Sequence, residues 1–210
     1  MFQVHTVDGS NRIAYQNHLE TYFRLRHEIY VEERGWHELR RHDGREIDAF
    51  DTSDAVHLLG IVPQQSVVAG SRLVPTMKPH LMSEVFPRLA EAGVPRQPDI
   101  FEWTRFFVVK PLRGEGKSCR AAGIMCCSVQ EYCLLRGIRN LTIVCEDYWL
   151  RRFTSIGWNP RQLGDPLQSN GDTIIGIMVE ISDAALRATR EIYQISEPVL
   201  WSKKTPAALG

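Results

Sequence analysis

The stretch from Leu19 to Tyr30 places an arginine where a core residue belongs. Leu19, Phe23, Arg26 and Tyr30 recur at spacings of four, three and four, which is one stripe of a helix. Such a stripe faces the interior, so the guanidinium on it needs a partner that is also inside. The same violation recurs downstream. Arg72 interrupts the β-rich run SVVAGSRLVPT, and Glu102 and Arg105 interrupt IFEWTRFFVV, otherwise a core strand. A chain with these charges must bring one helix, two strands and an acidic segment to a common polar centre. Asp48 and Asp51, in the polar stretch HELRRHDGREIDAFDTSD, are the candidate partners.

Two readings of that centre stand side by side. One is an ion-pair network that ties a helix and a loop to a sheet. The other is a site for a zwitterionic ligand, with acids for its amine, arginines for its carboxylate, and the faces of Tyr30 and Trp36 for a cationic group. Fold stability alone rarely asks for so many inward charges, which favours the second. Glu102 and Arg105 lie three apart and so face opposite sides of a regular strand. A bulge between them would bring both to one side.

The remaining pattern is that of one α/β domain. A strand at Phe2–Val7 leads to a helix from about Asn11 to Glu33. A hairpin follows, AVHLLGIV and SVVAGSRLVPT, and then a helix interrupted by Pro87. The long strand PDIFEWTRFFVVKP runs into RGEGKS, a glycine-rich turn that opens a long helix ended by Gly137. A strand IRNLTIVCED, a short helix ending at Gly157, weak strands near Pro166 and at Thr173–Ile181, and a helix from about Ala184 to Ile195 complete it. Residues 1–198 are expected to form the domain and 199–210 a loose tail. In RGEGKS, Arg113, Lys117 and successive N–H groups suit a pyrophosphate, although the spacing is not that of a Walker A loop.

Composition narrows the function classes. Lys+Arg and Asp+Glu balance at 25 each among 210 residues, so no global field draws in nucleic acid or an anionic membrane. No run is apolar for the roughly 18–20 residues of a membrane span, and the start does not read as a signal peptide. Five cysteines without C-x-x-C or ordered histidine spacing predict free thiols in a reducing cytoplasm, neither disulfides nor a metal site.

The charged residues also resemble a known family, the acyl-homoserine-lactone synthases, which are the autoinducer synthases of bacterial quorum sensing. That family's pattern is Arg-x3-Phe-x5-Trp, Asp-x2-Asp, Arg, Phe and Glu-x2-Arg. Here it reads Arg26, Tyr30 and Trp36, then Asp48 and Asp51, Arg72, Phe86, and Glu102 with Arg105. Tyr30 is the one departure. The resemblance implies an α/β/α sandwich with a twisted mixed sheet, like that of the acetyltransferases (GNAT-like). It implies that the amine of S-adenosylmethionine attacks an acyl thioester, after which its carboxylate closes on its own γ-carbon and expels methylthioadenosine.

By the same resemblance Glu102 is the general base and Arg105 its neighbour in catalysis. Arg26, Tyr30, Trp36, Asp48, Asp51 and Arg72 hold S-adenosylmethionine. The acyl thioester falls to Phe86, Trp103, Phe106, Phe107, Val108, Arg113, Lys117, Thr142 and Trp149. Both small molecules are substrates, so no cofactor is expected. The donor reads as acyl-CoA with a short branched or aryl acyl group, acyl carrier protein being the alternative. Two rival functions remain at this stage: an N-acyltransferase of the same fold acting on another amine, and a non-catalytic module that binds S-adenosylmethionine or an acyl thioester.

Overall fold

Among the described residues eight strands form one sheet in the order β1-β2-β3-β4-β5-β8-β6, with β7 also pairing β8. This is a computed structural model, and it describes residues 2–63, 66–114, 119–169 and 171–201. The strands are β1 (Gln3–Val7), β2 (Val56–Ile61), β3 (Val67–Pro75), β4 (Ile100–Val108), β5 (Asn140–Glu146), β6 (Pro160–Gln162), β7 (Leu167–Ser169) and β8 (Asp172–Glu180). The helices are α1 (Gln16–Arg26), α2 (Leu81–Glu84), α3 (Arg120–Arg136), α4 (Tyr148–Ser155) and α5 (Asp183–Tyr193). All pairings are antiparallel except β4 with β5.

That parallel pair is short, and its shortness makes the site. Ile100, Phe101 and Glu102 pair with Asn140, Leu141 and Thr142, after which the strands part. β4 runs on to Val108 and β5 to Glu146 with a gap between them. On one face α3 and α5 cover the sheet through the main core of Leu58, Leu73, Met125, Leu141 and Ile177. On the other, Leu19, Tyr22 and Phe23 of α1 pack on Leu59 and Phe107. The α/β/α sandwich predicted from sequence is the observed architecture. Among the described residues no helix is long and apolar enough to cross a membrane.

Local differences from the sequence reading have physical causes. α1 begins at Gln16 rather than Asn11, because Asp8 and Asn11 exchange hydrogen bonds that close a turn first. Past Arg26 the helix widens into π-helical turns, His27–Glu33, closed by a hydrogen bond from the Arg34 N–H to the Ile29 carbonyl. The helix expected around Pro87 reduces to α2 and a 3₁₀ turn, Pro87–Leu89, since proline disfavours helix in the residue before it. β6 lacks the alternation that would announce a strand. The tail is not loose as far as Trp201. Leu200 bridges Val4, the Val199 and Leu200 N–H groups donate to Glu131, and Trp201 stacks on His5. Cys119, Cys126, Cys127, Cys133 and Cys145 are all free thiols.

Candidate functional site

The misplaced charges meet in a closed ring. Arg26 forks onto Asp51 at 2.8 and 3.0 Å and donates Nε to Glu46 at 2.5 Å. Arg72 forks onto Asp48 at 2.5 and 2.9 Å, with Nη1 also 2.9 Å from Asp51. Arg105 closes the circle, donating to Glu46 twice at 3.0 Å and to Asp48 at 2.8 Å. Guanidinium and carboxylate alternate around it, three of each, so the ring is neutral and every charge has two opposite neighbours. Such mutual pairing is what makes burial of Arg26 and Arg72, both fully excluded from solvent, tolerable.

Arg105 reaches the ring through a bulge. Gly70 pairs with Phe107 and Arg72 with Thr104, so Ser71 faces two residues of β4, and Arg105 takes a left-handed φ of 56°. The arginine thereby turns toward the side occupied by Arg72 and Thr104, whose hydroxyl accepts from Arg72 Nε at 3.1 Å.

The electrostatics follow from this wiring. Burial opposes the charge of Glu46, but Arg105 and Arg26 outweigh it and bring the carboxyl down to about 2. Asp51 is likewise held well below the ordinary carboxylate range, burial being overcome by Arg26 and Arg72. Glu102 goes the other way. Its carboxylate is buried and accepts the Leu81 and Met82 N–H groups at 2.8 and 2.7 Å, the first free donors of α2. Burial still dominates and lifts it to about 7, against those hydrogen bonds and the nearby Arg72 and Arg105.

Two cavities open on either side of the parted strands. The first, about 350 Å³, is lined by Tyr30, Trp36, Asp48, Phe86, Trp103, Arg105, Phe106 and Trp149, together with the Ile143–Glu146 edge of β5. The second, about 530 Å³, is lined by Phe107, Val108, Arg113, Gly114, Arg152 and Tyr193 among others. They share Arg34, Phe106, Trp149 and Phe153 at the gap. Some of the residues singled out for each ligand in the sequence thus line two cavities that share part of their walls.

Several of them stand back from it. Arg26, Asp51, Arg72, Glu102 and Thr142 line neither cavity. The first three are consumed by the ring, Glu102 lies behind Leu81, and Thr142 sits at the fork where β4 and β5 still pair. Only Asp48 and Arg105 carry the ring to the cavity wall, with side chains 16% and 7% exposed. Tyr30 and Trp36 stack on each other at 5.2 Å, and Arg34 and Arg105 already lie over the Tyr30 ring. The Tyr30 hydroxyl donates to the Phe106 carbonyl at 2.9 Å. Arg113 is engaged by Glu33 at 2.5 Å and by the Val108 carbonyl, and Lys117 lies outside the described residues.

Glu46 escaped the sequence reading, although it holds Arg26 and Arg105 together. Its position two residues before Asp48 was the available signal, but acids crowd that stretch and nothing in it marks one as buried. Thr104 escaped as well, since a threonine in a strand is ordinary.

Residues 10–189 match the autoinducer synthase family. The chain is 45% identical over 164 residues to the isovaleryl-homoserine lactone synthase of Bradyrhizobium diazoefficiens, a match spanning 78% of this chain and 73% of that one. The solved structure of a CoA-dependent acyl-homoserine lactone synthase, BjaI, with SAM and isopentyl-CoA, superposes with a TM-score of 0.90 at 38% identity, covering 97% of this chain and 94% of that one. Another CoA-dependent acyl-homoserine lactone synthase, MesI, gives 0.87 at 41% identity, covering 96% of this chain and all of its own. Solved proteins under 20% identical share the acetyltransferase-like fold alone. With residues 10–189 matched, a span that includes the ring and the forked strands, this chain belongs to the autoinducer synthase family.

Proposed function

We propose that the protein makes an acyl-homoserine lactone from S-adenosylmethionine and an acyl-CoA carrying a short branched or aryl acyl group. The observation that carries this reading is the gap between β4 and β5, because it joins two cavities of different character at one point. S-Adenosylmethionine occupies the first, its amino-acid end toward Asp48 and Arg105 and its adenosyl group beside Trp36. The thioester enters through the second, with its acyl group against Trp103, Phe106 and Phe153. Amine and thioester carbonyl meet at the gap.

The chemistry needs no oxidant. The neutral amine attacks the thioester carbon, the C–S bond breaks, and CoA leaves as the thiol once the amine's proton has been passed on. The α-carboxylate then attacks the γ-carbon, whose bond to the sulfonium breaks to give neutral methylthioadenosine. With an amine near its model value of about 8, deprotonation at pH 7 costs only ~1.4 kcal/mol. Positioning therefore supplies much of the acceleration, and Glu102, poised near 7, accepts the proton through a water. The main-chain edge of β4 beyond Glu102, which has no strand partner on the β5 side, offers N–H groups to the developing oxyanion.

The ring of arginines and carboxylates holds Asp48 and Arg105 still rather than touching substrate at every member. This gives Arg26, Asp51 and Arg72 a supporting role. The aromatic wall behind the gap limits acyl length: Phe153 stacks on Trp158 at 5.2 Å and on Trp149 at 5.5 Å, and Trp103 tilts against both Phe153 and Trp158. The test is a donor panel with saturating S-adenosylmethionine: isovaleryl-, cinnamoyl- and octanoyl-CoA, and the same acyl groups on acyl carrier protein. The proposal expects the highest kcat/KM with a branched or aryl CoA ester. Turnover confined to carrier-protein thioesters would contradict it.

A further inference from the structure

Of the four residues shared by the two cavities, Arg34 alone is charged. It follows the π-helical turns and precedes Gly35, whose φ of +74° swings the chain toward Trp36. Its guanidinium carbon lies 5.9 Å from the centre of the Tyr30 ring and 5.4 Å from that of Trp36. Across the gap it donates to Glu146 at 2.6 Å, at the end of β5 and 112 residues away in sequence. The Arg34 side chain is 34% exposed and that of Glu146 15%, so the pair is partly shielded from solvent. The preceding residue, Glu33, is tied in the other direction, to Arg113 beyond the end of β4. Two adjacent residues of opposite charge thus fasten one segment to both lips of the opening.

We propose that Arg34 is a positioning residue of the reaction: anchored by Glu146, it holds the Tyr30–Trp36 ring pair against the place where the two substrates meet. This rests on the functional reading above. Tyr30 has its own tie to β4 through Phe106, and Trp36 joins the stack through its N–H bond to the Tyr30 carbonyl and its ring contact. The guanidinium plane lies over both rings while its charge is committed to β5, so the stack is fixed relative to the far lip as well as the near one. Arginine suits this because it stacks and forms an ion pair together, which lysine does not.

The experiment pairs a ligand-free readout with a kinetic one in Arg34→Ala, Glu146→Gln, Arg34→Lys and the charge-swapped double variant Arg34→Glu/Glu146→Arg. Hydrogen–deuterium exchange of peptides over residues 27–36 should speed up in Arg34→Ala and Glu146→Gln, with α3 unchanged. KM for S-adenosylmethionine should rise about tenfold in both, with kcat within about threefold, the size expected of a half-buried pair. The swap should restore slow exchange and recover part of the KM loss, and Arg34→Lys should fall between wild type and Arg34→Ala. Wild-type exchange and KM in Glu146→Gln, or a swap no better than the single variants, would overturn the proposal. A wild-type protein that makes no lactone would sink the functional reading instead, and the exchange arm would still decide whether Glu146 anchors the segment.

Discussion

Both oxygens of Glu102 accept main-chain N–H groups of α2, yet its carboxyl sits near 7, so burial there outweighs two hydrogen bonds. A carboxyl so placed is about half ionised at neutral pH. The account predicts kcat/KM rising with pH through about 7, in addition to the limb of the substrate amine. Glu102→Gln should lose that limb and about 10²-fold in turnover while binding S-adenosylmethionine nearly as tightly. Unchanged turnover would remove Glu102 from the base role. Glu46 is a different case. Glu46→Gln leaves Arg26 and Arg105 each short of a partner inside the protein and should cost about 3 kcal/mol of stability, read by chemical denaturation.

His57 sets a pH dependence of its own. Burial holds its pKa down to about 3, among Tyr22, Phe23 and the arginines of the ring. Below the ordinary value of 6.5 the unfolded chain takes up a proton at this position that the folded one refuses, so the contribution of His57 to stability falls as pH drops from 6.5 toward 3. Glu46 adds to the loss in the lower part of that range, from its ordinary 4.5 down to about 2. Glu102, lifted to about 7, works the other way between pH 7 and 4.5, so the test is the difference between two proteins: replacing His57 by phenylalanine should raise stability by about 2 kcal/mol relative to wild type on going from pH 6.5 to 4.5. The same pH dependence in the variant as in wild type would show that His57 carries none of it.

At the scale of elements, the π-helical turns and the β4 bulge act together. The turns bring Tyr30 beneath β4, where its hydroxyl meets the Phe106 carbonyl, and the bulge turns the neighbouring Arg105 into the ring. Tyr30→Phe removes one buried hydrogen bond and keeps the ring, so Tm should fall by about 2–4 °C with KM for S-adenosylmethionine little changed. A large rise in KM would mean that the hydroxyl serves the substrate. The bulge was legible in sequence because Glu102 and Arg105 could not otherwise share a side. The π-helical widening was not, because the Leu19–Tyr30 stripe keeps its spacing through it. Turn chemistry at Asp8–Asn11 overrode helix pattern for the same reason that makes boundaries hard to place: a local hydrogen bond competes with a whole helix. The docking of Val199–Trp201 depends on contacts with Val4, His5 and Glu131 that lie far away in sequence.

For the whole molecule, the order of strands decides the chemistry. Parallel pairing of β4 and β5 stops at Glu102 and Thr142, and Asp48, Arg105 and the aromatic walls gather around the gap that follows, with Glu102 set behind it. The buried charges were legible because arginine and glutamate contradict an apolar pattern. Which of them reach the cavity was not, since depth is a property of the folded whole. Arg26, Arg72 and Asp51 proved to stand behind Asp48 and Arg105. If the aromatic wall limits the acyl group, Trp149→Ala should shift preference toward longer acyl-CoAs by about tenfold in relative kcat/KM, the worth of about one methylene in an apolar pocket. The central claim is that two substrates meet at this gap and react there in two coupled steps. Its most direct test is the stoichiometry of products from S-adenosylmethionine and isovaleryl-CoA, followed by mass spectrometry. The account predicts free CoA, methylthioadenosine and isovaleryl-homoserine lactone in equal amounts from the first turnovers. Release of CoA with S-adenosylmethionine left intact would contradict it.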